Sequence, residues 1–486
     1  MPRDLIAEIT NILTRLQEPI KEILLRFGLL QTPQQTIDAE QELAALGRGL
    51  ADEVMAHLLT ASVAAWQTPG QPSPKRRAEL PGQQTRSAGQ RSTPVRLLGG
   101  RVISLKTQYR VPAPRTGPGR RRKVGRRRQA GAGVYPALVG LGIWYGATPA
   151  VLSEVSRQSA ESSSYQIAQE NLRRRGLDLD EKTLTRLTQG FGRLALQARQ
   201  AKLLADPAPT AGAGSLRGHR VVIAVDGGRM RLRTPRRRGR RRKDTGHRGF
   251  SAPWREPKVL TIYFIDDKGR KQRKTLSLYD ATLGDADALF ALVVGYLRLL
   301  GAHEAAQLVL LGDGARWIWD RVDELLQAVG IAPERFVAIV DYYHAVEHLR
   351  HVTELLSGWS ATQRRRFVKH YKRVLRRGEV EEVIAAIHEL CQGRHAKALA
   401  TERDYFARNA ERMRYRHLAQ AGLPIGSGAV ESAVRQVVNQ RVKSNGMFWL
   451  QAHAEHILHL RAFLRAGRWE QLVHVTLAHH ATTAQS

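Results

Sequence analysis

Cysteine is almost absent: Cys391 stands alone in 486 residues. One thiol closes no intramolecular disulfide and builds no thiolate zinc cluster, and its scarcity fits a reducing interior compartment. Long apolar runs are also missing, since no stretch approaches the roughly 18 residues a membrane-spanning helix needs. The start, Met1-Pro2-Arg3-Asp4, lacks a basic segment followed by an apolar one, so neither a membrane span nor a secretion signal is expected. Negative charge is the third shortage. Asp and Glu number 44 against 77 Lys and Arg, for a formal net charge of +33. Counterion release on a polyanion is the binding force such a chain offers, although a ribosome-type or merely soluble basic protein would be as basic, and the expected setting is the cytoplasm, close to the nucleoid.

What is present divides the chain into unlike stretches. Residues 1–65 repeat apolar positions at helical spacing (Leu5, Ile9, Leu13, Leu16, then Ile20, Ile23, Leu24) and predict an amphipathic helical arm. Residues 66–134 turn to Pro, Gly, Ser, Gln and Arg, broken only by a strand-like Val102-Ile103-Ser104-Leu105. This composition, with its block from Arg120 to Arg128, predicts a basic flexible linker that buries no core. Helical signals return over 135–205, with Thr148-Pro149 and Asp180-Glu181 opening helices. The short helices and tight turns are compatible with either a DNA-reading helix-turn-helix or a plain helical bundle.

The richest signal is a set of apolar runs that end in aspartate: Val221 to Val225 before Asp226, Leu308 to Gly312 before Asp313, and Phe336 to Val340 before Asp341. Such runs read as buried strands, and open α/β sheets bind their ligands beside the carboxyl ends of strands. Acids gathered there repel one another unless a cation lies between them, and carboxylate oxygens suit Mg²⁺ or Mn²⁺. Past Asp226, alternation at period two puts Arg229, Arg231 and Arg233 on one face, followed by Arg236, Arg237, Arg238, Arg240, Arg241, Arg242 and Lys243. Strands are predicted at 259–265 and 274–279, then helix 284–300, strand 307–312, helix 315–328, strand 336–341 and helix 342–356. That order is a three-strand meander followed by alternating helix and strand, a mixed α/β sheet. A helical, strandless insertion over 357–423 comes next. Pro424 to Gly428 then breaks the chain before a helix over 429–442, with Ser427 as its N-cap and Glu431 in its first turn. Arg435 and Asn439 follow Glu431 on that helix at i+4 and i+8, and Lys443 lies just beyond. The stretch from Arg441 to Trp449 suits either contact with a nucleic-acid backbone and stacking on bases, or a capped helix end with Phe448 and Trp449 in the core.

These residues resemble the catalytic domain of DDE insertion-sequence transposases of the Mutator-like, ISKra-type group. The motifs are Ala224-Val225-Asp226-Gly227-Gly228-Arg229, Gly312-Asp313-Gly314-Ala315, Asp341-Tyr342-Tyr343-His344 and Gly426-Ser427-Gly428-Ala429-Val430-Glu431-Ser432. The resemblance covers about half the chain, from Arg220 to roughly Arg465. It implies an RNase H-like mixed sheet in two parts, 206–356 and 424–466, separated by the helical insertion and followed by a tail over 467–486. It also implies a two-metal site in which Asp226 bridges Mg²⁺ or Mn²⁺ ions while Asp313 and Glu431 each complete one, with Asp341 and His344 bracing the site or orienting the scissile strand. The implied reaction cuts phosphodiester bonds at transposon ends and joins the freed 3′-hydroxyl to target DNA, and the implied partners are both DNAs and a homo-oligomer assembled on them. Relatives carrying cysteine-rich DNA-binding segments differ from this chain, whose single cysteine leaves that work to arginine.

Other readings of the same residues stand beside it. Asp226 fits a Gly-Gly turn, Asp313 a helix cap, and Glu431 simple complementarity with a helix dipole. At the level of function, the alternatives are an RNase H-like nuclease or resolvase without strand transfer, a non-catalytic nucleic-acid-binding protein, and a zinc metallopeptidase. The last rests on His344-Ala345-Val346-Glu347-His348, which fits an H-x-x-E-H pattern, and would leave His351 on the same helix face.

Overall fold

The computed structural model describes residues 3–67, 85–112, 133–203, 216–236, 249–444 and 446–483. Two compact units emerge: residues 1–198 with 469–486, and residues 199–468.

In the first unit the expected arm is helical: α1 (Arg3–Arg15), α2 (Gln17–Phe27) and α3 (Pro33–Gln67). The linker expected over 66–134 is corrected where it can be described. Residues 85–112 form an antiparallel hairpin, β1 (Thr85–Arg96) paired with β2 (Val102–Pro112). Val95, Leu97 and Leu105 of this hairpin join Leu59, Val63, Leu138 and Ile143 in one buried cluster. Its turn is tied to α3 by Asp52, whose two carboxylate oxygens accept from the Gly99 and Arg101 amides, each at 2.8 Å. The hairpin escaped the sequence reading because β1 is polar along nearly its whole length and turns inward only at its end. The block from Arg120 to Arg128 lies outside the described residues. Beyond it stand α4 (Pro136–Gly140), α5 (Pro149–Glu161), α6 (Tyr165–Arg174) and α7 (Glu181–Leu203). The tail expected over 467–486 is instead a helix, Trp469–Thr483. It packs Trp469 against Phe191, ring centroids 6.1 Å apart, and the Trp469 indole N–H donates to Ser153 Oγ at 3.0 Å.

The second unit is built on a mixed five-stranded sheet. In chain order its strands are β3 (Arg220–Gly227), β8 (Lys258–Phe264), β9 (Ser277–Thr282), β10 (Gln307–Gly312) and β11 (Phe336–Val340), arranged in space as β11-β10-β3-β8-β9. β3, β8 and β9 pair antiparallel as a meander, whereas β3, β10 and β11 run parallel, as the strand order predicts. Between β3 and β8 the chain makes two short ladders, β4 (Met230–Arg231) with β7 (Trp254–Arg255) and β5 (Thr234–Pro235) with β6 (Phe250–Ser251). Helix α8 (Ala286–Leu299) crosses from β9 to β10. The helix expected over 315–328 is split into α9 (Arg316–Trp319) and α10 (Val322–Val329), and α11 (Tyr342–Leu355) follows β11. The insertion is helical as expected: α12 (Ala361–Arg377), α13 (Val380–Leu390), α14 (Ala396–Asn409) and α15 (Tyr415–Gln420). Then come α16 (Gly428–Val434) and α17 (Gln451–Arg465).

One buried polar node fixes α17. Asp280 on β9 is fully buried and accepts from Arg199 at 3.0 Å, from the Tyr296 hydroxyl at 2.8 Å and from the Ala281 amide at 2.8 Å, with His459 Nδ1 3.1 Å away. Burial alone would raise this carboxyl, but the charges of Arg199 and His459 outweigh it and hold Asp280 well below the usual carboxylate range.

Candidate catalytic site

β3 supplies the first acid because its run from Val221 to Val225 is buried on both faces, fixing it as the central strand. Asp226 is where the strand emerges from that buried run into partial exposure, and its Oδ1 accepts from the Gly227 amide at 2.7 Å. The following glycines are required by close neighbours. A Cβ on Gly227 would stand 2.3 Å from Glu256 Oε1, and one on Gly228 would stand 3.0 Å from Val438 Cγ1. Asp313 lies one residue past β10 and turns the chain by accepting from the Ala315 amide at 2.9 Å. Gly314 follows with φ of 87°, in the left-handed region open to glycine.

Asp341, just past β11, is fully buried and caps α11, accepting from the amides of Tyr343 at 2.5 Å and His344 at 3.1 Å. Its second oxygen accepts from the Ser427 amide, and the Tyr342 amide donates to Ile425 O at 2.9 Å. Asp341 therefore ties the turn that launches α16 to the sheet edge, and α16, which carries Glu431 on its exposed side, packs against β3 and β8. Ser427 is not the expected cap: its hydroxyl makes no capping bond and, among the described residues, has no hydrogen-bond partner.

Electrostatics show which groups meet. The Asp226 carboxyl is pushed up to about 6, first by burial; the Gly227 amide and His344 work against this, while the charges of Asp313 and Glu431 add to it. Asp226 is thus near enough to feel the charges of Asp313, Glu431 and His344. Among the described residues no hydrogen bond or ion pair engages the Glu431 carboxylate, and none of the three acids has a Lys or Arg partner. Crowded oxygens without a counter-cation are a donor set suited to a hard divalent ion. Among the described residues, however, no three His, Cys, Asp or Glu side chains are grouped as ligands of one ion.

The helical insertion grips the second acid. Glu402 on α14 accepts both His348 Nδ1 at 2.7 Å and His351 Nδ1 at 3.0 Å. Burial would raise Glu402, yet hydrogen bonds and charge from the two imidazoles hold it below its ordinary value. One turn on, Tyr405 stacks on His348, centroids 3.6 Å apart, and donates its hydroxyl to Asp313 O at 3.0 Å. Asn409 reaches Gly314 O at 3.4 Å. These contacts also separate the histidines of the H-x-x-E-H pattern. His348 is committed to Glu402, whereas the charge of His344 acts on Asp226 and its ring stands 3.4 Å from Glu347. Glu402, Tyr405 and Asn409 were missed in the sequence, where their only signal is a shared face of one helix at i, i+3 and i+7.

The helix expected over 429–442 is also corrected. α16 ends at Val434 and continues as a π-helical turn, Arg435–Asn439, closed by the Gln440 amide donating to Arg435 O at 3.0 Å. The wider turn removes the simple i+4, i+8 alignment of Arg435 and Asn439 with Glu431. Arg461 of α17, a fully buried guanidinium, meets this turn and donates to Gln436 O at 3.1 Å and Val437 O at 3.0 Å. Side chains two residues apart on a helix point to nearly opposite sides. His459 is therefore anchored at β9 while Arg461 holds the π turn.

Past Asp226 the predicted alternation holds: Arg229, Arg231 and Arg233 are exposed, Met230 and Leu232 buried. Arg231 lies 4.7 Å and Arg229 5.5 Å from the centre of the Trp254 ring, and Arg233 lies 4.8 Å from that of Phe250. Arg236, Arg435 and Lys443 are exposed as well. Residues Arg237 to Lys243 lie outside the described residues. Trp449 is buried, and its backbone joins the ladder, donating to Arg231 O at 3.2 Å and accepting from the Arg233 amide at 2.6 Å. It therefore takes the packing role rather than the stacking one.

No model of a known protein family matches the chain, and comparison with curated proteins finds no match.

Proposed function

We propose that this chain is a DNA transposase of the DDE type, cutting phosphodiester bonds at the ends of an insertion sequence and joining the 3′-hydroxyl to target DNA. The observation that carries the reading is the Asp226 carboxyl, pushed up to about 6 by burial beside the charges of Asp313 and Glu431 while the emerging strand lays exposed arginines alongside. An acid cluster that repels itself inside a chain of net charge +33 is suited to divalent cations and a polyanionic substrate. The sheet order supports an RNase H-like domain, with its three-strand meander continued by two parallel strands and acids at the ends of the first and fourth.

In this reading Asp226, Asp313 and Glu431 would hold two Mg²⁺ or Mn²⁺ ions, which would supply activation of the attacking oxygen and stabilisation of the leaving one. The chain's own contribution is placement. Asp341 orients α16 through Ser427, Tyr405 and Asn409 hold the Asp313 turn, and Arg461 holds the π turn beyond Glu431. Arg229, Arg231 and Arg233 bind the phosphate backbone.

The test is Asp226→Asn on plasmids carrying candidate element ends, with Mg²⁺ or Mn²⁺. Nicking and joining should be abolished, while DNA binding by gel shift stays equal or tightens because a negative charge facing phosphate is gone. Retained nicking overturns the catalytic assignment; cleavage by the wild type without joined products assigns a nuclease instead.

A further inference from the structure

The two elements that carry Asp226 and Glu431 run on side by side, Gly228 against Val438, and meet again at a pocket. Its volume is about 370 Å³, and it is lined by Arg231 and Trp254 from the β4–β7 ladder and by Asn439, Lys443, Ser444 and Gly446 from the end of the π turn. Trp254 is 47% exposed, a large aromatic left partly open to solvent. Arg231 and Lys443 are exposed cations, and Asn439 offers an amide with both donors and an acceptor.

We propose that this pocket receives one unpaired nucleotide of a DNA strand, its base against Trp254, its phosphate between Arg231 and Lys443, and its base edge toward Asn439. The inference rests on the reading of the chain as a DNA-processing enzyme and deepens it by naming the form of the substrate. Volume and chemistry argue together. A pocket near the lower end of ligand-site sizes admits a single nucleotide and not a duplex. An aromatic face is useful to a base only when that base has left its own stack. Cations alone would serve a passing backbone; the half-exposed indole, which Arg229 and Arg231 leave partly uncovered, and the amide among them suit a base. Because the pocket lies on the continuations of the Asp226 strand and the Glu431 helix, a strand bound at the acids is led toward it.

The test measures binding, so that it stands whether or not cleavage is found. Single-stranded oligothymidylates carrying one central 2-aminopurine, or one central abasic residue, and a duplex of equal length are titrated with the full chain in Ca²⁺. Wild type, Trp254→Ala, Trp254→Phe and Lys443→Ala are compared. Trp254→Ala should weaken binding of the intact single strand by roughly 5- to 100-fold. It should lose the change in 2-aminopurine fluorescence, and it should weaken the duplex and the abasic strand far less, by no more than the loss of the ring beneath Arg229 and Arg231 costs. Trp254→Phe should restore most of the affinity, and Lys443→Ala should lower the salt slope for the single strand by about 0.7. Equal weakening of intact and abasic strands by Trp254→Ala would overturn the proposal, because Trp254 would then only be steadying Arg231. Unchanged affinity or fluorescence would overturn it too. Loss of all nicking with these binding results intact would count against the transposase reading alone.

Discussion

Asp226 is held in a place that costs the folded protein stability. Its carboxyl is raised from the ordinary value near 4 to about 6, so the folded state binds a proton more tightly than the unfolded state does. Folding therefore takes up a proton between those two values, and stability falls as pH rises through that window, by at most about 3 kcal/mol once the group is fully ionised. In the absence of divalent ions, Asp226→Asn should raise Tm at pH 7.5 and make little difference near pH 3.5, as scanning calorimetry at the two pH values would show. Mg²⁺ or Mn²⁺ should raise the wild-type Tm at pH 7.5 by mass action and leave that of Asp226→Asn nearly unmoved. A wild type more stable than Asp226→Asn at pH 7.5 without metal would show that the acid is already compensated. This residue was legible in the sequence because burial on both faces of β3 forces an unbroken apolar run, and the acid marks its end. Glu402 was not, since nothing near it in the chain announces the two histidines that it meets in space.

Among the elements, α16 and α14 show how helices outside the sheet place its acids. Arg461→Met removes a buried donor and leaves the Gln436 and Val437 carbonyls without it, at a cost of about 2–4 kcal/mol. The π turn should then relax toward an α-helix, carrying Glu431 and Val438 with it. Urea unfolding would read the first effect, and weaker Mn²⁺ binding by calorimetry the second. Destabilisation with unchanged Mn²⁺ affinity would mean that the turn does not set Glu431. At α14, Tyr405→Phe deletes one hydrogen bond to Asp313 O and should cost about 1 kcal/mol. Its effect on cleavage should exceed its effect on DNA binding, because it loosens an acid and not the arginine face. Glu402 carries the opposite pH signature to Asp226. Its carboxyl is held low, so its contribution is present above the unfolded carboxylate value and lost as pH falls through the folded one. The sequence disclosed where α16 begins but not its π turn, whose carbonyls meet a guanidinium from a helix further along the chain. Nor did it disclose β1, whose residues Thr85 to Pro94 carry no alternation of apolar and polar residues and whose partner and core contacts come from β2 and α3.

At the scale of the whole molecule the excess of positive charge was plain from composition, while its placement was not. Period-two alternation put Arg229, Arg231 and Arg233 on one face, and the structure adds what composition could not: the rings of Trp254 and Phe250 against which the guanidinium groups lie. A guanidinium held against an aromatic ring loses less freedom on binding than one on a free chain, which makes these three efficient binders for their charge. Replacing all three with serine should weaken duplex binding irrespective of sequence, and the slope of log K against log salt should become shallower by about 0.9 for each phosphate contact removed. The exposed positions make loss of fold a minor concern, and an unchanged melting temperature would verify it. An unchanged salt slope would mean that DNA is held elsewhere and that the arginines beside Asp226 do not face its backbone.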